Sequence, residues 1–132
     1  MTTTTETREE AQYVAATIRS QVTPLVLMSL GAHRLGSYTH ENGTHALVFL
    51  ACVLPFKKNG DRSGAARNMR VMITLNVADT YDIRVEYQRQ GKTITHYSAN
   101  SVYADSLAGM MLRIDSDWDL EKSSEGHHGI PA

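Results

Sequence analysis

The chain has 132 residues, 42% hydrophobic and 20% charged, with 13 basic against 14 acidic side chains. That length suits one domain with one core, and the balance excludes an intrinsically disordered chain. The only cysteine, Cys52, excludes an internal disulfide and any thiolate metal cluster.

Residues 1–5, MTTTT, carry no periodicity and read as a frayed end. Ala11, Val14, Ala15, Ile18 and Val22 then recur at helical spacing, with Glu9, Glu10, Arg19 and Gln21 on the other side, which predicts an amphipathic helix. Thr23-Pro24 has the form of a fresh helix start, a capping hydroxyl before a proline, and Gly31 ends the short segment 25–30.

From Arg34 the pattern turns to strand alternation. Asn42-Gly43 follows, a dipeptide suited to hairpin turns because both central residues accept positive φ. The apolar run 46–56 after it predicts a strand covered on both faces or central in a sheet, with Cys52 a buried, inert thiol. Residues 69–76 and 81–89 each alternate, with a turn at 78–80 between them. Gln90-Gly91 turns the chain into a last strand at 92–98.

Asn100 or Ser101 is placed to cap a final helix carrying Val102, Tyr103, Leu107, Met110, Met111 and Ile114. The polar, Gly-containing tail from Lys122 reads as mobile. The expected fold is α+β: an antiparallel meander of about five strands with N-terminal and C-terminal helices packed on one face. A single domain is expected over residues 6–121, with 1–5 and 122–132 as flexible termini.

Leu30-Gly31 with Arg34, then Thr39, the run Val71-Met72-Ile73-Thr74-Leu75-Asn76, Asp79-Thr80-Tyr81-Asp82 and Val102-Tyr103-Ala104-Asp105-Ser106-Leu107 form a set of motifs. The set resembles a family of small uncharacterised proteins of bacteriophages, prophages and mobile elements, with an LG..RF..MTG start, an I.LN..DTYD centre and a VY.D.L finish. The resemblance implies a phage or mobile-element accessory protein with no assigned biochemical role. This chain departs from it with Tyr38-Thr39-His40 in place of Met-Thr-Gly, and with a longer basic insertion at 57–70.

That insertion, KKNGDRSGAARNMR, is the strongest chemical signal in the chain. Lys57, Lys58, Arg62, Arg67 and Arg70 face the single Asp61, while the remainder of the chain is net acidic. Cations gathered in an inter-strand loop suit contact with phosphates, so nucleic acid is the expected partner and these five residues its backbone contacts. Tyr38, Tyr87 and Tyr97 are candidate stacking faces for unpaired bases. A protein-interaction module that inhibits a host defence protein is the alternative. Self-association into a homodimer through exposed edge strands is a third expectation.

Other constellations carry less. Asp79-Thr80-Tyr81-Asp82 reads as turn chemistry, with Asp79 and Thr80 bonding backbone groups and Asp82 pointing to water. Asp115, Asp117 and Asp119 open like a calcium loop, but Leu120 and Gly126 stand where glycine and glutamate are required. His40 and His45 flank the Asn42-Gly43 turn and are placed to face one another across the hairpin. No phosphate loop, dinucleotide, nucleophile-elbow or zinc-protease motif is present, and the expectation is a non-enzyme without a cofactor. The apolar run at 46–56 is shorter than a membrane helix, and the polar N-terminus lacks a secretory pattern, so the expected location is the cytoplasm without membrane contact.

Overall fold

The computed structural model describes residues 4–55 and 66–114. Helix α1 spans Thr4–Val22 and buries Ala11, Ala15, Ile18 and Val22, the stripe that its periodicity marks. Its first turn takes in Thr4 and Thr5, where the lack of periodicity predicts a frayed end. Helix α2, Pro24–Ser29, follows after Thr23, whose Oγ1 accepts a hydrogen bond from the Val26 amide at 3.4 Å. Proline at the first helical position lacks the amide hydrogen that would otherwise go unsatisfied there. Gly31, at φ 64°, supplies the left-handed turn that releases the chain into the sheet.

Five strands form one sheet in the order of the chain: β1 (His33–Thr39), β2 (His45–Val53), β3 (Arg67–Leu75), β4 (Tyr81–Arg89) and β5 (Lys92–Val102). Every neighbouring pair is antiparallel. The connections are short and local except between β2 and β3, so a meander is the simplest closure of the chain.

Alternation decides which side each residue serves. Leu47, Phe49, Ala51 and Val53 on β2 point the same way as Met69, Val71 and Ile73 on β3 and Tyr81, Ile83, Val85 and Tyr87 on β4; all are buried. Helices α1 and α2 cover this face together with α3 (Leu107–Arg113), which adds the buried Leu107 and Met111, with buried Ile114 at its C-cap. Each fully buried large side chain contributes about 1.5–3 kcal/mol of transfer free energy, so the helix layer and the sheet stabilise one another.

Two boundaries differ from those that the sequence predicts. Strand β5 runs on to Val102, past the helix cap expected at Asn100 or Ser101. Val102 is register partner to Tyr81, and Ser101 takes φ 58° beside an irregularity in the β4–β5 pairing. The helix begins only at Leu107, after a short 3-10 turn at Ala104–Ser106. At the other end of the basic insertion, β3 begins at Arg67, so Arg67, Asn68 and Arg70 are strand and not loop.

Among the described residues, the second face of the sheet carries no helix. There Ala46, Val48, Leu50 and Cys52 of β2 lie beside Asn68, Arg70, Met72 and Thr74 of β3, and next to them Asp82, Arg84 and Glu86 of β4. Strand β2 is thus paired on both sides, but among the described residues helices cover one face only. Cys52 is exposed on the open face, contrary to the buried thiol expected of its apolar run, with its Sγ 3.5 Å from Asn68 Oδ1. Among the described residues no helix is long and apolar enough to cross a membrane.

Candidate functional site on the open face of the sheet

Of the five cations expected to act together, the structure places two, Arg67 and Arg70, and both belong to strand β3. Lys57, Lys58 and Arg62 lie outside the described residues. Arg67 and Arg70 are three positions apart on β3, an odd spacing that sends them to opposite faces. Arg67 sits on the helix-covered side, 5.5 Å over the Tyr87 ring, and its Nη1 donates to the Gln88 carbonyl at 3.3 Å. Arg70 stands on the open face between Leu50 and Glu86, exposed, with no ion pair among the described residues.

Around Arg70 the open face forms a cavity of about 300 Å³ lined by Arg34, Gly36, Ser37, Tyr38, Val48 and Arg70. Among the described residues its lining holds two guanidinium groups and an aromatic ring, and no carboxylate. Arg34 reaches it from an irregular stretch of β1: the register shifts between His33 and Gly36, and Arg34 takes φ 56°, a left-handed conformation costly for a side chain of its size. Such outliers cluster at binding and catalytic sites, because the surrounding fold has to hold them in place. Tyr38 is 46% exposed and meets the His40 ring edge-on at 5.0 Å between centroids. Gly36 leaves the floor bare, with nothing within 4 Å of the point where a Cβ would stand.

A second depression of about 440 Å³ continues along the same face toward the hairpin turns. Val48 of the first cavity and Met72 of the second are register partners on β2 and β3, so the two cavities adjoin. Arg84 borders the second cavity; its Nε lies 3.8 Å from Glu86 Oε2, and its side chain is 64% exposed. An ion pair that exposed is weak, and among the described residues it is the only ion pair the guanidinium makes.

Of the three tyrosines named as stacking faces, only Tyr38 is available. Tyr87 and Tyr97 are buried on the helix side. Burial pushes the Tyr97 phenol above its ordinary pKa, with Arg113 opposing; burial likewise raises Tyr81, against the bond that its hydroxyl donates to Gln21 Oε1.

The two histidines of the first hairpin do not face one another. His40 belongs to the open face and its Nε2 bonds Thr74 Oγ1 at 3.0 Å, whereas His45 Nδ1 bonds Thr39 Oγ1 at 2.9 Å. Among the described residues no three His, Cys, Asp or Glu side chains converge as a metal site. Asp115, Asp117 and Asp119 lie outside the described residues.

The Asp79-Thr80-Tyr81-Asp82 element is a structural turn, but its hub is Asn76. Asn76 Oδ1 accepts from the Ala78 amide, the Thr80 amide and the Thr80 hydroxyl, while its Nδ2 donates to Thr80 Oγ1 and Asp82 Oδ1. Asp82 does not simply face water: it also accepts from the Ser101 amide at 3.1 Å and so ties β4 to β5.

Comparison with protein-family models, curated proteins and solved structures returns no match. The sequence alone does not single out Arg34 or Arg84 as contacts. Arg84 is readable from parity, because it alternates with Ile83 and Val85; Arg34 is not, because its placement depends on a bulge.

Proposed function

We propose that this protein is a non-catalytic phage or mobile-element accessory protein that binds nucleic acid on the open face of its sheet. The observation that carries the reading is the shared cavity of Arg34, Arg70 and Tyr38, exposed and, among the described residues, lined by no carboxylate. Two guanidinium groups suit phosphate oxygens, and one aromatic face suits a base. Lys57, Lys58 and Arg62 belong to the segment that joins β2 to β3, so its ends are anchored at Val53 and Arg67, register partners at one end of the sheet. The phage setting comes from the motif resemblance. Binding is favoured over chemistry because the cavity gathers cations, a ring and small residues, a lining suited to holding an anion in place.

The test is a salt titration of oligonucleotide affinity. Replacing Arg34 and Arg70 together by alanine is expected to weaken binding and to lower the salt slope by about 0.7 for each phosphate of a single strand that is no longer neutralised. The triple replacement of Lys57, Lys58 and Arg62 by alanine acts in the same direction. Affinity and slope unchanged in both variants overturn the proposal.

A docking role toward a host protein is the second reading, favoured by Leu25 and Met28 on α2, which are 77% and 75% exposed and three residues apart on one helix face. It predicts no retention on heparin. Retention that disappears on replacing Arg34 and Arg70 removes it.

A further inference from the structure

We propose that the larger open-face cavity, beside the arginine pair, receives an unpaired nucleobase, so that the ligand of this surface is single-stranded nucleic acid and not a duplex. The inference rests on the nucleic-acid reading of the open face and deepens it.

The cavity is bounded by His40, Asn42, Met72, Arg84, Ser98 and Asn100. Its volume, about 440 Å³, lies in the range of small-molecule sites. Met72 forms an apolar floor, 8% exposed, on which a flat ring can rest. The walls carry amide and hydroxyl groups. Asn76 and Asp82 also line it, but both are committed to the turn network and to the Ser101 amide.

Ser98 and Asn100 are different. Both side chains are exposed on β5, and among the described residues neither has a hydrogen-bond partner. Asn42 Oδ1 is taken by Thr44, and among the described residues its amide hydrogens have no partner. A carboxamide offers a donor and an acceptor side by side, and so does the Watson–Crick edge of a base. In a duplex that edge is already paired and turned inward, so these groups distinguish an unpaired base from a paired one.

Phosphate contacts lie within reach of such a base. Arg84 borders the cavity itself, and Arg70 stands two residues from Met72 on the same face, about 7 Å along the strand. A strand crossing from β1 to β5 therefore meets Arg34 and Tyr38, then Arg70, then Arg84 and the free polar groups of Ser98 and Asn100.

The experiment compares a fluorescein-labelled DNA strand of roughly a dozen nucleotides with the same strand annealed to its complement, and is repeated with RNA. Wild-type protein is set against the double variant Ser98→Ala/Asn100→Ala, whose side chains are exposed and make no hydrogen bond among the described residues. The expected result is tighter binding of the single strand, about tenfold weaker in the double variant because hydrogen bonds to the base are removed. The salt slope stays unchanged, since no charge is removed. A mononucleotide should shift the backbone amide resonances of Ser98 and Asn100 if the cavity holds a base without the rest of the strand; shifts confined to Arg34 and Arg70 count against it. Equal affinity for single and double strands, with the double variant indistinguishable from wild type, overturns the base pocket and leaves a phosphate-binding face. Binding of neither form overturns the nucleic-acid reading itself, and the pocket with it.

Discussion

Arg67 and Arg70 lie on the same strand but serve opposite sides of the sheet, Arg67 over the buried Tyr87 ring and Arg70 over the open face. One cation is therefore committed to the fold, while the other is exposed and makes no ion pair among the described residues. Replacing Arg67 by alanine is expected to lower stability by about 0.5–1 kcal/mol, the value of an exposed cation–π interaction, and to leave the salt slope of binding unchanged. Replacing Arg70 by alanine is expected to do the reverse. Urea denaturation and oligonucleotide titration of the two variants measure both effects, and identical behaviour of the pair contradicts the division of labour.

Gly36 offers a test that alters no charge. Its position on β1 has open space where a Cβ would stand, and its φ lies outside the left-handed region, so valine fits the strand without strain. Gly36→Val should leave the denaturation midpoint unchanged or slightly raised, yet fill the floor between Arg34, Tyr38 and Arg70. Oligonucleotide affinity is expected to fall severalfold at constant salt slope. Full affinity in a well-folded Gly36→Val protein shows that the ligand does not enter this cavity.

The turn between β3 and β4 depends on Asn76 more than on the acidic residues that first draw notice. Its side chain holds the Ala78 and Thr80 amides at 2.9 and 3.2 Å and reaches Asp82 at 3.0 Å. Asn76→Ala removes all of these at once. With each net hydrogen bond worth about 0.5–1.5 kcal/mol, a decrease of about 2–3 kcal/mol is expected in chemical denaturation. Asp79→Ala is expected to cost less than Asn76→Ala, since Asp79 contributes chiefly a residue tolerant of φ 63°. A larger decrease for Asp79→Ala reverses this assignment.

The order of elements and the side of the sheet facing the helices are legible in the sequence because both follow from periodicity. Tyr81, Ile83, Val85 and Tyr87 alternate with Asp82, Arg84, Glu86 and Gln88, and the structure buries the first set. Composition misleads where periodicity does not. Arg67 and Arg70 look like loop residues by type, but parity assigns them to strand faces. Cys52 lies in an apolar run, yet its even position places it with Val48 and Leu50 on the uncovered side. The Arg34 bulge and the late start of α3 leave no periodic trace. Both arise where the chain takes positive φ at ordinary residues, Arg34 and Ser101, a choice made by tertiary packing.

Two buried tyrosines set how the fold responds to alkali. In an unfolded chain the phenols ionise near 10.0, whereas burial holds those of Tyr81 and Tyr97 protonated to higher pH in the native state. Between those values the native protein binds more protons than the unfolded chain, so unfolding becomes easier as pH rises. Their contribution to stability is present in full below pH 10 and is lost as pH climbs through the raised native values. Urea midpoints are therefore expected to hold level from neutrality to pH 10 and then fall, with phenolate absorbance rising as the fold opens. Tyr97→Phe should flatten the alkaline decline. Tyr81→Phe should flatten it as well but start from a lower midpoint, because it also removes the bond to Gln21. An alkaline decline equally steep in the double phenylalanine variant transfers the effect to other groups.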